Sequence, residues 1–402
     1  MTESAWVEAV SRLWPEAEVS SAPRGRRAER AGGGAGSGAR EFVYLPDARR
    51  ARLLLPLGAP RAAGTALRRY SHDLGVKARL GRGLFSVAVR TGLPQRFLPD
   101  RMRVRPSRPG EESVERRLSE ILGRPVVVSV SIGNARANRK PVLQAITPSG
   151  ESLAFVKVGD TDVARELIRA EAAALTRLSG LHLPGIRVPE VIRHETWRGL
   201  ELLVMSALPT GVRRWRPSGA VPVAAMSALS AATAASGALA GSSFLDRLRG
   251  VPEQVADPRT AARLADLADR VAERHGDLEL RFGAWHGDWT PWNMAWRRDL
   301  VHLWDWERFA PAVPVGFDAL HYTLQQVRPT TSWTADLVWS DGVLRTLEPF
   351  GVEGRAARAT TALYLLELCA RYVVAGQGSI GEPLRPQADA LLDLLDRSRS
   401  RM

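Results

Sequence analysis

The sequence predicts an α+β protein: an antiparallel sheet with one inserted helix, then a helical region, with a further small α/β module ahead of both. Three observations carry this. Runs rich in β-branched residues recur at Val126–Ile132, Val142–Thr147 and Leu153–Val158 with turn signals and no helix between them. A helical period then runs from about Val163 to Leu178, before two more strands at Val188–His194 and Glu201–Ser206. From residue 220 onward the apolar spacing is mainly helical, interrupted once between about 281 and 310. Strand and helix do not alternate, which argues against a doubly wound parallel sheet.

A chain of 402 residues is too long for one ordinary core. We divide it into a module over 1–110, a sheet-rich region over 111–208 and a helical region over 209–402. In the first, Trp6, Val10, Leu13 and Trp14 share one helix face. Residues 22–40 are Gly, Ala and Arg-rich without apolar period and read as a linker. Strands are expected at Phe42–Leu45 and Ala51–Leu55, a helix at Pro60–Tyr70, and strands at Val76–Leu80 and Leu84–Val89. Residues 93–110, rich in Pro and Arg, read as a second linker. The second region opens with a helix striped by Val114, Leu118, Ile121 and Leu122 and closed by Gly123 and Pro125. Late helices at Trp333–Leu347, Arg355–Val374 and Pro386–Ser398 read as scaffold.

Hydrophobic residues are 45% and charged residues 25%, which excludes a disordered or fibrous chain. The net charge of +13 is uneven: +12 over 1–110, +5 over 111–250 and −4 over 251–402. A basic segment can meet nucleic acid or anionic lipid. No helix-turn-helix, RNA-binding or zinc-finger pattern accompanies it, so we expect a solvated surface and no nucleic-acid partner. The single Cys369, in an apolar helical run, excludes a disulfide framework and reads as a buried thiol. The N-terminus shows no basic-then-apolar leader. The uncharged stretch Pro217–Leu245 is too rich in Ala and Ser for a membrane span and reads as a packed helical segment. A cytoplasmic location without membrane contact is expected.

The chemistry concentrates in Trp285-His286-Gly287-Asp288-Trp289-Thr290-Pro291-Trp292-Asn293, followed by Leu303-Trp304-Asp305-Trp306-Glu307. Pro291 excludes a regular helix, so Asp288 and Asn293 belong on a loop between short strands. Oxygen-only donors on such a loop suit Mg²⁺, which keeps some waters and shares phosphate oxygens. A loop Asp can also orient and deprotonate a hydroxyl.

HGDWTPWN resembles the H-G-D-x-x-x-x-N catalytic loop of the aminoglycoside phosphotransferase and choline kinase-like family, and LWDWE resembles its I-D-W-E metal segment. The resemblance covers roughly residues 111–400. It implies a two-lobed protein-kinase-like fold, with a sheet-built N-lobe and a helical C-lobe. It implies Asp288 as catalytic base or substrate orienter, Asn293 and Asp305 as Mg²⁺ ligands, and His286 and Asp318 as structural residues. The sequence departs at Trp289-Thr290-Pro291-Trp292, where many members have L-H-P-G; Trp289 and Trp292 are the candidates for acceptor contact.

Such enzymes need a strand-borne cation on the nucleotide phosphates. Lys157, in Ala154-Phe155-Val156-Lys157-Val158, is one of only three lysines, the others being Lys77 and Lys140. Its expected partner is Glu171 rather than Glu166. Glu171 shares a helix face with Leu167, Ala174, Leu175 and Leu178, and a carboxylate on a packed face needs a counter-charge. The loop 133–140, with Gly133 and Asn134, falls where backbone N–H groups would cover the phosphates; Arg136, Arg139 and Lys140 there remain open between phosphate and solvent. Leu202–Leu208 falls where adenine would bind, with Met205 and Ala207 offering backbone groups.

The expected activity is transfer of the γ-phosphate of ATP (or GTP) to a hydroxyl of a small molecule: a sugar, an aminoglycoside-like compound or another metabolite. The alternatives are a kinase acting on Ser or Thr of a peptide or protein, and a nucleotide-binding pseudokinase scaffold.

Overall fold

The computed structural model describes residues 10–22, 39–49, 51–69, 85–92, 100–108, 110–132, 141–208, 221–297, 299–327 and 330–401. The chain divides into two compact units, Met1–Ile168 with Pro189–Thr210, and Arg169–Val188 with Gly211–Met402.

The first unit is built on one nine-stranded antiparallel sheet. Its strands are β1 (Ala17–Ala22), β2 (Arg40–Leu45), β3 (Leu53–Pro56), β4 (Arg101–Pro106), β5 (Val127–Ile132), β6 (Pro141–Ile146) and β7 (Ser152–Gly159). After β8 (Ile186–Arg187), which belongs to the second unit, β9 (Val191–Trp197) and β10 (Leu200–Ser206) complete it. The spatial order is β1-β4-β2-β3-β5-β6-β7-β10-β9. Helix α1 (Pro60–Arg69) follows β3, α2 (Val114–Leu122) follows β4, and α3 (Asp162–Ser179) follows β7. The division between units falls within α3.

The sequence-derived division at residue 110 is not a division between sheets. β3 pairs with β5 through Leu53↔Ser131 and Leu54↔Val130. One buried cluster holds Trp14, Phe42, Tyr44 and Leu54 together with Val128, Val130, Val156 and Leu202. Residues 93–110 are not simply a linker either: Arg101–Pro106 is β4, lying between β1 and β2. Met102 and Val104 face inward between outward arginines, an apolar alternation only two residues long and masked by Arg and Pro. Leu84–Val89 was expected as a strand, yet residues 85–89 are helical; five mostly apolar residues fit either period. The expectations at Trp6, at Val76–Leu80 and at 133–140, including Gly133 and Asn134, lie outside the described residues.

The second unit holds two small sheets. One runs β11 (Ala235–Ala238), β12 (Glu279–Trp285), β15 (Ala310–Pro314); the other runs β13 (Met294–Arg297), β14 (Leu300–Leu303), β8. Around them lie α4 (Val223–Ala231), α5 (Ser243–Arg249), α6 (Pro258–His275), α7 (Phe317–Val327), α8 (Gly354–Gly376) and α9 (Arg385–Arg397). The predicted helix at 333–347 is broken into the short turns Ala335–Val338 and Asp341–Leu344 and a 3₁₀ segment. Thr334 and Ser340 each cap a new start, which splits the run. The described part of the Ala/Ser-rich stretch is likewise α4, β11 and the start of α5 rather than one helix. Cys369 is buried on α8. No described helix is long and apolar enough to cross a membrane.

Candidate active site

Within the second unit, residues 286–293 connect β12 to β13, and residues 304–309 connect β14 to β15. The pairings β12–β15 and β13–β14 therefore hold two irregular loops side by side. Asp288 and Asn293 are on the first loop and Asp305 is on the second, as the sequence order requires.

The loops are laced together. Asn293 donates from Nδ2 to the Asp288 carbonyl and to Asp288 Oδ2, both at 2.9 Å. The amide nitrogen is thereby committed, and Oδ1 is the atom left to ligate a cation. His286 Nε2 donates to the Trp304 carbonyl at 2.9 Å, while Nδ1 accepts from the Asp288 N–H at 3.2 Å. That pattern needs a neutral ring, and burial pushes the His286 imidazole down to about 4. Trp304 N–H reaches the Asn293 carbonyl at 3.0 Å. Asp318, at the start of α7, accepts from the backbone N–H groups of His286 (2.8 Å) and Gly287 (3.2 Å). Burial raises its carboxyl to about 7 against those two bonds.

Two backbone positions are special. Gly287 has φ +83, and a Cβ there would overlap the Arg308 carbonyl, so only glycine fits between the loops. Asp305 has φ +69, a left-handed conformation that Asp tolerates better than most residues. It turns the chain sharply after β14, directly before the buried Trp306.

Asp288 is half-exposed and heavily bonded. Its Oδ1 lies 3.1 Å from His321 Nε2 on α7. Burial pushes its carboxyl up, but the His321 hydrogen bond and the nearby Arg371 outweigh this and hold it at about 2. Arg371, on α8, donates to the Gly287 carbonyl at 2.7 Å and stands over the Trp285 ring. Burial, with Arg371 next, pushes the Arg308 guanidinium down, opposed by Glu307 and Asp288. His321 and Arg371 were not singled out in the sequence. His321 had one weak signal, lying one helical turn after Asp318.

Glu171 is 1% exposed, and Glu166 on the same helix is exposed, as the helix-face argument requires. Glu171 Oε1 accepts the Trp306 N–H at 3.2 Å, which ties α3 to the residue after Asp305. Trp289 corrects an expectation. It is fully buried, donates to Met294 Sδ at 3.2 Å, and is core rather than acceptor contact. Trp292 is partly exposed.

Lys157, Met205 and Ala207 belong to the first unit. Lys157 sits on β7 opposite Val142 of β6 and Leu203 of β10, 7% exposed. Met205 pairs with Phe155, beside a register shift in the β9–β10 pairing. The Ala207 N–H points to the Leu153 carbonyl at 3.4 Å, so that donor is partly engaged.

Residues 142–316 match the model of the phosphotransferase enzyme family. The match spans less than half of the chain. It contains Lys157, Glu171, Asp288, Asn293 and Asp305 and is narrower than the roughly 111–400 read from the motifs. No curated protein matches the chain. Similar solved structures include a thermostable mutant of aminoglycoside phosphotransferase APH(4)-Ia in ternary complex with ADP and hygromycin B. It is 16% identical, covering 70% of this chain and 98% of that chain, with a TM-score of 0.47. Another is described as a fructosamine-3-kinase from Haemophilus somnus 129PT, 14% identical, covering 69% and 96%, with a TM-score of 0.42.

Proposed function

We propose that this phosphotransferase moves the γ-phosphate of ATP to a hydroxyl of a small molecule. The carrying observation is the arrangement of Asp288: an ionised carboxylate on a braced loop, bonded through Oδ2 to Asn293, with one edge still open to solvent. Such a group can hold an acceptor hydroxyl in line with a phosphoryl group. The acceptor oxygen forms the new P–O bond, the bond to the ADP oxygen breaks, and the hydroxyl proton leaves through Asp288 or water. A carboxylate held near 2 is a weak base, so its work is chiefly orientation.

Asn293 Oδ1 and the Asp305 carboxylate are hard oxygen donors suited to Mg²⁺. Among the described residues no cluster of three His, Cys, Asp or Glu forms a self-sufficient metal cage. That agrees with a cation whose remaining ligands are phosphate oxygens and water. Bound there, Mg²⁺ would neutralise charge on the β- and γ-phosphates. Lys157, on β7, is the cation proposed for the phosphates, and backbone groups of Met205 and Ala207 are proposed for the adenine. Arg371 and Arg308 make the surroundings of Asp288 less suited to a polycation than to a neutral hydroxyl compound such as a sugar.

The test is Asp288→Asn. With Mg-ATP and a pool of sugars and aminocyclitols, ³¹P NMR of wild type should show phosphate moving to carbon-bound oxygen. The variant should be slower by about 10²–10⁴-fold. Equal turnover by both would remove Asp288 from the chemistry.

A further inference from the structure

Behind Asp288 lies a chain of buried polar groups that runs into α7 and α8. His321 Nε2 is 3.1 Å from Asp288 Oδ1, and His321 Nδ1 is 3.1 Å from the Tyr364 hydroxyl on α8. The His321 side chain is 2% exposed, and Tyr364 has no exposed surface. The flanking α7 residues Leu320 and Leu324 are fully buried, so an apolar side chain would have packed at position 321. A histidine here is a polar group kept in an apolar layer.

Proton accounting fixes its orientation. Ionised Asp288 can only accept, so Nε2 must carry the proton that bridges to Oδ1. A buried imidazole is neutral and has one N–H, so Nδ1 must accept, and Tyr364 must donate. Tyr364, His321 and Asp288 form one directed chain. Together with Asn293 it pins both carboxylate oxygens, which removes the broad freedom of the Asp terminal torsion.

We propose that His321 is a positioning residue for Asp288, and that Tyr364 positions His321 by locking its Nε2–H tautomer. This rests on the phosphotransfer reading above and deepens it. The carboxylate is aimed by side chains from α7 and α8 and not by its own loop alone.

The test compares His321→Leu, His321→Gln and Tyr364→Phe in the full chain, with Asp288→Asn as reference. The probe is Mg-ATP turnover with water and neutral hexoses as acceptors. His321→Leu should lower kcat by about 10–100-fold while KM for Mg-ATP stays within about 2-fold. His321→Gln can place an N–H near the Nε2 position and should recover most of the loss; Tyr364→Phe should fall in between. Equal losses in the Leu and Gln variants, or a change in KM instead of kcat, would mean that position 321 only packs. If Asp288→Asn is inactive while His321→Leu and Tyr364→Phe turn over like wild type, the inference fails and the phosphotransfer reading stands. If Asp288→Asn keeps wild-type turnover, both fall. ¹⁵N NMR of histidine-labelled wild type gives a readout independent of turnover and of whether the variants fold. The Nε2–H tautomer is expected at His321, and the Nδ1–H tautomer overturns the proposal.

Discussion

Asp288 shows how far one residue could be read from the sequence. Its motif announced a loop carboxylate, and Pro291 excluded a helix. Its partners His321 and Arg371 come from 33 and 83 residues downstream in numbering, outside any local pattern. Glu171 was easier, because a helix period decides which side chains share its packed face. Trp289 was misassigned because an indole within a catalytic motif has the same composition whether it lines a pocket or fills a core. Glu115 makes a pH prediction at this scale. It is buried on α2, accepting from Trp14 Nε1 at 2.8 Å with Arg40 at 3.4 Å. Burial raises its carboxyl above the ordinary 4.5 despite Arg40 and those bonds. The folded state therefore holds a proton that the unfolded chain has released. Its contribution is fully present below about pH 4.5 and is lost as pH rises through the raised value. Urea melts of wild type and Glu115→Gln should show wild type losing ground to the variant as pH rises above 4.5; a difference that is flat or moves the other way with pH would contradict this.

Elements were legible where they carry a long period or a cap. α2 was bounded correctly by its apolar stripe and Gly123, which takes φ +65 at the C-cap. Its N-cap does more than end a helix. Ser113 Oγ accepts the Arg116 N–H at 3.3 Å and the Arg40 guanidinium at 3.1 Å. The same hydroxyl thus starts α2 and fastens it to the first residue of β2. Ser113→Ala should cost about 1 kcal/mol in chemical denaturation. The loss should shrink if Arg40 is already replaced, since the two share one bond; strict additivity would mean the cap acts alone. β4 was missed and residues 85–89 were assigned the wrong element because runs of two to five apolar residues have no resolvable period. The same limit split the predicted 333–347 helix at two caps.

For the whole first unit, residues ahead of 110 are part of the sheet that carries Lys157. Phe42 is 2% exposed and shares one cluster with Val128, Val156 and Val204. Phe42→Ala should destabilise this unit by about 3–5 kcal/mol, read as a lowered first transition in a thermal melt. A module held only by flexible linkers would instead lose its own transition and leave the rest unchanged. The basic excess of residues 1–110 has a partial structural use: Arg40, Arg101 and Arg103 pair with Glu115 or Glu41. The half-exposed pairs with Glu41 contribute little each.

The sequence by itself determined the α+β class, the run of strands from 127 to 206, the inserted helix with Glu171 inward, and the two loops that carry Asp288, Asn293 and Asp305. These depend on periodicity, turn residues and spacing, which are local properties of a chain. Only the tertiary structure decided that the N-terminal strands join the central sheet, that Trp289 is core, and that His321 and Tyr364 stand behind Asp288. Those facts depend on which distant surfaces bury one another and which buried polar groups must then find partners, and no local pattern encodes that choice.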